Sequence, residues 1–246
     1  MGRPEVRRCN RTRFADMLFD GGSIGIEIRH SGFMGSENLF LNCFWLLCST
    51  AGLLTSNPNA LQQTVVGGNF QTCGTAIYAG SGSVPIVHGV GFQQSVQSDI
   101  YTGTSARNAI DVAGCRSEST NFINNAGGQK LRVSACSHIS ASATNGYFLA
   151  QAGGHAVLSS CVSTFGALVP TFWAHVRVEE CEWNRSDWLQ LDPTHLWWTP
   201  NNTRTFCLEI ENTDYQDNGG NWVEIRRQRL VTLDGQTITT YNYTAN

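Results

Sequence analysis

The chain has 246 residues and a formal net charge of −3, and charged residues make up only 14% of it. Hydrophobic residues reach 41% and aromatic residues 10%, which excludes a disordered polypeptide. The negative charge and the lack of a basic block exclude nucleic acid as an expected partner. No window holds the roughly 20 apolar residues that a membrane span needs, so we expect none.

The first segment, Met1 to Arg13, is basic and is not followed by an apolar stretch. We therefore expect no signal peptide. The first predicted strand is Ile24-Gly25-Ile26-Glu27-Ile28, with no obvious capping segment before it.

A repeat of 20–26 residues then extends from roughly residue 36 to residue 191. Its members align in one column: Cys43, Gly68, Val90, Cys115, Cys136, Cys161, Cys181 and Cys207. A unit of this size cannot bury its own apolar face, so the units must stack on one another. The period therefore predicts a solenoid.

A second column lies about ten residues further on in each repeat. It reads Ile77-Tyr78, Ile100-Tyr101, Phe122-Ile123, Phe148-Leu149, Phe172-Trp173 and Trp188-Leu189. Short β-branched runs such as Val65-Val66 and Ile110-Asp111-Val112, closed by Gly-rich turns, indicate strands and not helices. His138 falls in line with Trp45, Phe70, Phe92 and Trp183, which predicts a packed ring.

Most of the nine cysteines occupy one repeat column, which favours a stack of buried free thiols over disulfides. Cys43 and Cys48 are the closest pair and have no second pair nearby, so we expect no metal site and no cofactor.

The rhythm ends after about residue 192. Strands are predicted at Phe206–Ile210 and Trp222–Ile225, and a last hairpin at Leu230–Leu233 and Thr237–Thr239. We thus expect a parallel β-helix over 1–192, and a terminal coil with a β cap or extension over 193–246.

Two or three short strands per coil make the chain similar to the right-handed parallel β-helix of the pectate-lyase-like superfamily. The motifs are Leu41-Asn42-Cys43-Phe44-Trp45, Val66-Gly67-Gly68-Asn69-Phe70 and Val133-Ser134-Ala135-Cys136. The resemblance implies an all-β solenoid of about 7–9 coils with an irregular C-terminal β cap. It also implies polysaccharide lyases, hydrolases, epimerases, bacteriophage tailspikes and adhesins as candidate functions. The aspartate motifs of the polygalacturonases and the calcium-binding aspartates of the pectate lyases are absent from the sequence.

Asp111 and Arg132 fall in one column, four residues before the cysteine column, on consecutive coils. Lytic members of the superfamily place a base near a carboxylate, so these two residues are candidate catalytic groups for β-elimination of a uronic acid. A cross-coil ion pair without catalysis is the alternative. Asp99 is the candidate for hydrolysis.

A second surface is predicted from the period-2 rule. If Ile77 and Ile100 point inward, Tyr78, Asp99 and Tyr101 point outward. We expect Asn121, Tyr147 and Asp187 to continue this line, because tyrosine faces and polar side chains together bind sugars. A plain solvated sheet face is the alternative.

The leading hypothesis is a carbohydrate-active β-helix that binds, and could cleave, an acidic polysaccharide as a lyase or hydrolase. The alternative is a non-catalytic structural or adhesive β-helix. The uncapped start and unusual C-terminal segment suggest a fragment, a missing N-terminal partner segment or a tailspike-like homotrimer. Synthesis in the cytoplasm or residence in a phage particle fits the missing signal peptide.

Overall fold

The computed structural model describes residues 5–6, 11–29, 37–104, 106, 109–139, 146–170, 174–190, 206–233 and 237–242. In these ranges all regular secondary structure is β, with 27 strands and no helix. The strands are, in chain order, β1 (Glu5–Val6), β2 (Arg13–Ala15), β3 (Leu18–Asp20), β4 (Ile24–Ile28), β5 (Leu39–Leu41), β6 (Phe44–Leu46), β7 (Ala51–Thr55), β8 (Thr64–Val66), β9 (Asn69–Gln71), β10 (Thr75–Ala79), β11 (Ile86–His88), β12 (Gly91–Gln93), β13 (Ser98–Thr102), β14 (Ile110–Ala113), β15 (Arg116–Glu118), β16 (Ile123–Asn125), β17 (Leu131–Ser134), β18 (Ser137–His138), β19 (Tyr147–Gln151), β20 (Gly154–Ser159), β21 (Val162–Ser163), β22 (Ala167–Pro170), β23 (Ala174–Glu179), β24 (Glu182–Trp183), β25 (Phe206–Gln216), β26 (Trp222–Leu233) and β27 (Thr237–Asn242).

Every third strand pairs in parallel with its counterpart on the next coil, which produces three ladders. The first ladder is β2, β5, β8, β11, β14, β17, β20 and β23. The second is β3, β6, β9, β12, β15, β18, β21 and β24. The third is β1, β4, β7, β10, β13, β16, β19 and β22. This arrangement is a parallel β-helix, which confirms the prediction of an all-β parallel solenoid.

The coils bend between their first and second strands at a residue with a positive φ, and one coil has two such residues, Gly67 and Gly68. Asn42 (φ 49°) and Ala135 (φ 50°) are examples. On most coils the next residue points inward and is a cysteine, whose thiol lies close to the carbonyl oxygen two residues earlier, whereas Met17 on the first coil is exposed. The Cys136 Sγ donates to the Ser134 carbonyl at 3.3 Å, and Cys181 Sγ to Glu179 at 3.2 Å. A small side chain with one weak donor suits this corner.

The prediction of buried free thiols is confirmed for the described residues. Eight cysteines there are free, and all except Cys207 are buried. Cys9 lies outside the described residues.

The last position of the predicted cysteine column is wrong. Cys207 lies opposite His175, whereas Cys181 is followed in the ladder by Thr213, since Glu182 pairs with Asp214. Thr213 takes over the same role, because its hydroxyl donates to the Glu211 carbonyl at 3.0 Å. The step from Cys181 to Thr213 is longer than the 20–26-residue repeat on which the prediction relied, and residues 191–205 lie outside the described residues.

Inward-facing side chains stack along the ladders to form one core. In the second ladder the Trp45 and Phe70 rings stack at 4.1 Å, and Phe70 and Phe92 at 5.5 Å. His138 continues this column and is 1% exposed, which confirms the predicted packed ring. In the third ladder Ile77, Ile100, Ile123, Leu149, Leu168 and Leu189 stand in register. Leu168 therefore holds the place predicted for Phe172-Trp173, which lies outside the described residues.

The coils end in an antiparallel sheet. β25 pairs in parallel with both β23 and β24, so the first and second ladders merge into one long strand. β26 then pairs antiparallel with β25, and β27 with β26. The predicted strands at Trp222–Ile225 and Leu230–Leu233 are parts of the single strand β26.

Candidate functional site

Two adjoining cavities form a groove on the outer side of the first ladder. The wide half has a volume of about 810 Å³ and includes Glu37, Leu39, Gln62, Thr64 and Ile86. The narrow half has a volume of about 380 Å³ and includes Asp111, Lys130, Arg132, His155 and Val157. Pro85 and Ala109 line both halves. Because the lining residues come from successive coils, the groove follows the axis of the β-helix.

Asp111 and Arg132 lie opposite each other on β14 and β17, as the repeat predicted. Both side chains point outward because the residues on either side of each, such as Ile110 and Val112, face the core. Asp111 is half-buried and Arg132 is exposed. Although they are direct neighbours within the described part of the chain, the two side chains form no ion pair with each other. Asp111 therefore does not neutralise the charge of Arg132 in the groove.

His88 is the residue beside this pair that sequence reasoning missed. Its Nε2 lies 3.7 Å from Asp111 Oδ1, with the side chains 42% and 43% exposed. His88 occupies the third position of β11, diagonally across from Asp111 on β14. The alternation of side chains along β11 could have identified His88, because Val87 faces the core and its two neighbours, Ile86 and His88, face outward.

Asp99 does not face the solvent, and the prediction that it points outward is wrong. The residue is 0% exposed. Its carboxyl oxygens accept hydrogen bonds from Ser117 Oγ at 2.5 Å and Ser119 Oγ at 2.6 Å. Burial raises the pKa of Asp99 to about 7, and the two serine hydrogen bonds oppose that shift. Asp99 is thus an internal polar group and does not line the groove.

The error arises at the start of the third-ladder strands, where the period-2 rule fails. Ser98, Asp99 and Ile100 are all buried, and so are Thr75, Ala76 and Ile77 of the preceding coil. The chain bends immediately before these strands, at residues 96–97 and at Gly74, and two consecutive residues then face inward. The equivalent position on an earlier coil is Gly52, where an added Cβ would lie 2.6 Å from the inward-facing ring of Phe70.

The predicted tyrosine surface is only partly assembled. Tyr78 and Tyr101 pair in register with ring centroids 4.7 Å apart, and Asn124 continues their row. Burial raises the pKa of Tyr78, with Tyr101 adding to the effect. Tyr147 joins the group through a hydrogen bond with Asn124, while burial raises the pKa of its own phenol. The four side chains form a half-buried patch on the outer face of the third ladder.

Asn121 and Asp187 are not part of this patch. The Asn121 side chain donates to the Gln97 carbonyl at 2.9 Å and accepts from the Tyr147 backbone at 3.3 Å, so it links neighbouring coils. Asp187 accepts two hydrogen bonds from Arg185, at 2.6 and 2.5 Å, and this pairing lowers the pKa of Asp187. The register places Asn124, and not Asn121, beside Tyr101.

Among the described residues, no group of three or more His, Cys, Asp or Glu side chains is arranged to hold a metal ion. None of the described elements is a helix with the length and apolarity of a membrane span. No family model, curated protein or solved structure matches the chain.

Proposed function

We propose that the protein binds an acidic polysaccharide that lies along the groove. The observation that carries the proposal is the continuity of the wide and narrow halves across successive coils, with Lys130 and Arg132 at one end. A linear polymer fits a site built from repeated coils, and exposed cations attract its carboxylates. The Tyr78–Tyr101 patch on the third ladder offers a second surface of the kind that packs against sugar rings.

Cleavage by β-elimination is a second candidate, favoured by the position of Asp111 beside Arg132 without a mutual ion pair. In this step Arg132 neutralises the carboxylate of the sugar. The Asp111 carboxylate accepts the proton from the carbon that bears that sugar carboxylate. The electron pair forms a carbon–carbon double bond as the bond to the next sugar oxygen breaks, and that oxygen takes a proton from water. Hydrolysis through Asp99 is not part of the proposal, because Asp99 is buried.

Calorimetric titration with a panel of uronic-acid polysaccharides tests the binding proposal. Arg132→Gln should weaken binding at least about tenfold, since a charged partner in the groove is lost. Arg116→Gln is the matched control, because Arg116 is an exposed arginine of the second ladder that pairs with Glu118 at 2.6 Å outside the groove. Equal losses in both variants, or none, would contradict the proposal.

The same mixtures, followed by ultraviolet absorbance of unsaturated sugar ends and by reducing-sugar assay, test cleavage. Absorbance that disappears in Asp111→Asn supports β-elimination. Binding without either signal leaves a non-catalytic binding protein. If no glycan binds at all, the structural or adhesive β-helix becomes the better interpretation, and light scattering would then test for a homotrimer.

A further inference from the structure

Charge is distributed unevenly along the groove. Among the described residues that line the wide half, Glu37 is the one ionisable side chain, and the Arg11 Nε lies 2.5 Å from its carboxylate. The remaining lining side chains in that half are uncharged, Gln62 and Thr64 among them. The described lining of the wide half therefore carries no net charge.

The narrow half is different. Lys130 and Arg132 are both exposed there, and Asp111 is the single carboxylate among the lining residues that the structure describes. His88 faces Asp111 from the neighbouring strand at 3.7 Å. His155 adds an exposed imidazole at the far end of the same half. This half therefore has more cationic than anionic groups and suits one carboxylate.

A uniformly charged polyuronate would match only part of this surface. It would place carboxylates beside Glu37 in the wide half, where Arg11 is already engaged. Repulsion between Glu37 and the carboxylates of the polymer would weaken binding, so the groove would discriminate against a polyuronate. Uncharged hydroxyls, by contrast, can hydrogen-bond to the amide of Gln62 and the hydroxyl of Thr64.

We infer that the ligand is a heteropolysaccharide in which acidic sugars are separated by neutral ones. A neutral stretch occupies the wide half, of about 810 Å³, and one acidic sugar occupies the narrow half, of about 380 Å³. This inference rests on the proposed polysaccharide binding and specifies its ligand class by the spacing of charge.

The test compares three soluble probes of matched length by calorimetry. They are polygalacturonate, in which every sugar is acidic; hyaluronan, in which acidic and neutral sugars alternate; and gellan, in which several neutral sugars separate the acidic ones. We expect gellan or hyaluronan to bind at least about tenfold more tightly than polygalacturonate. Polygalacturonate that binds equally or better overturns the inference and leaves the proposed function intact. Failure of all three to bind overturns both.

Two variants locate the effect. Glu37→Gln should tighten polygalacturonate binding several-fold and leave gellan nearly unchanged, because it removes the carboxylate and frees Arg11. Lys130→Gln should weaken all three probes. Glu182→Gln, at an exposed site on the second ladder, is the control and should change nothing. An unchanged polygalacturonate affinity in Glu37→Gln would count against the inference.

Discussion

Asp99 is a carboxyl group enclosed by the coils, and its environment makes stability depend on pH. The pKa of Asp99 in the folded protein is about 7, raised mainly by burial from its ordinary value of 3.8. The folded state therefore binds the proton more tightly than the unfolded state. The resulting stabilisation is fully present below pH 3.8 and is lost as pH rises towards about 7.

His138 works in the opposite direction. Burial lowers the pKa of its imidazole to about 4 from 6.5, so the unfolded state binds that proton more tightly. Its contribution to stability is present above pH 6.5 and is lost as pH falls through about 4. Between about pH 4 and pH 6.5, a fall in pH therefore increases the stabilisation from Asp99 and decreases the stabilisation from His138.

In Asp99→Asn, the pH dependence of stability should be that of His138 alone. The amide cannot titrate, so the variant should lose stability between pH 7 and pH 5, where the native protein changes less. The difference between the two profiles should approach about 1.4 kcal/mol per pH unit, the value for one proton. Urea denaturation at several pH values measures it. Parallel profiles for the two proteins would show that Asp99 does not titrate in this range.

The number of accessible thiols tests the burial of the cysteines. Seven of the eight described cysteines are buried, and Cys207 is partly exposed. The native protein should therefore react with a thiol reagent at two sites or fewer, Cys207 and Cys9, and the denatured protein at all nine cysteines of the sequence. The measurement is the colorimetric count of reactive thiols before and after addition of guanidinium. Rapid native reaction of more than two thiols would contradict the packing.

At the scale of the coil, Gly68 shows how closely neighbouring bends approach each other. Its φ is +81°, and an added Cβ would lie 2.0 Å from the Cys43 carbonyl oxygen of the preceding coil. Gly89 also has a left-handed backbone, with φ +64°, but an added Cβ there would meet nothing within 4 Å. An alanine at Gly89 would therefore cause backbone strain alone, whereas an alanine at Gly68 would cause backbone strain and a steric clash.

Gly68→Ala should destabilise the protein by several kcal/mol, because backbone strain of about 1–2 kcal/mol adds to an overpacking cost of about 1–3 kcal/mol. Gly89→Ala, the matched control, should cost only the strain. Chemical denaturation of both variants gives the two free energies of unfolding. Similar losses would mean that the coils move apart more easily than their spacing indicates.

The ladders could be predicted from the sequence repeat because each inward-facing position accepts only a few residue types. A cysteine suits the first bend, and β-branched or aromatic residues suit the strand centres, so these columns are visible in the sequence. The period could not identify Thr213, whose hydroxyl replaces the thiol after an insertion of unrelated length. It also could not place Asp99, because its orientation depends on a local turn and not on alternation.

The candidate site was predictable in part. The neighbouring positions of Asp111 and Arg132 followed from the repeat length alone, because residues at equivalent positions of successive repeats lie opposite each other in a ladder. His88 and Lys130 were not connected with them, because cross-coil distances depend on where each loop ends. The groove itself depends on the lateral packing of loops around Pro85 and Ala109, which has no periodic signature.

On the scale of the whole molecule, β26 covers the free edge of the last long strand. β25 has 11 residues, and without β26 its N–H and C=O groups would be open to pairing with another chain. Removal of residues 217–246 should therefore produce larger assemblies than the full chain forms. Light scattering coupled to size exclusion measures them.

Removal of residues 234–246 alone is the control. It retains β26 and uncovers only its segment Gln228–Leu233, where the exposed Arg229 makes the edge unfavourable for association. This shorter deletion should keep the mass distribution of the full chain. Identical distributions for both deletions would show that β26 does not protect the stack.

Lys130 is the only lysine in the sequence, and it lines the narrow half of the groove. Amine-directed chemistry therefore has just one side-chain target in this protein, apart from the terminal amine. Coupling through amines to a sensor surface or a fluorophore would occupy the groove itself and mask glycan binding. Immobilisation through an affinity tag avoids that loss, and protection of Lys130 from acylation by an added polysaccharide would itself report occupancy of the groove.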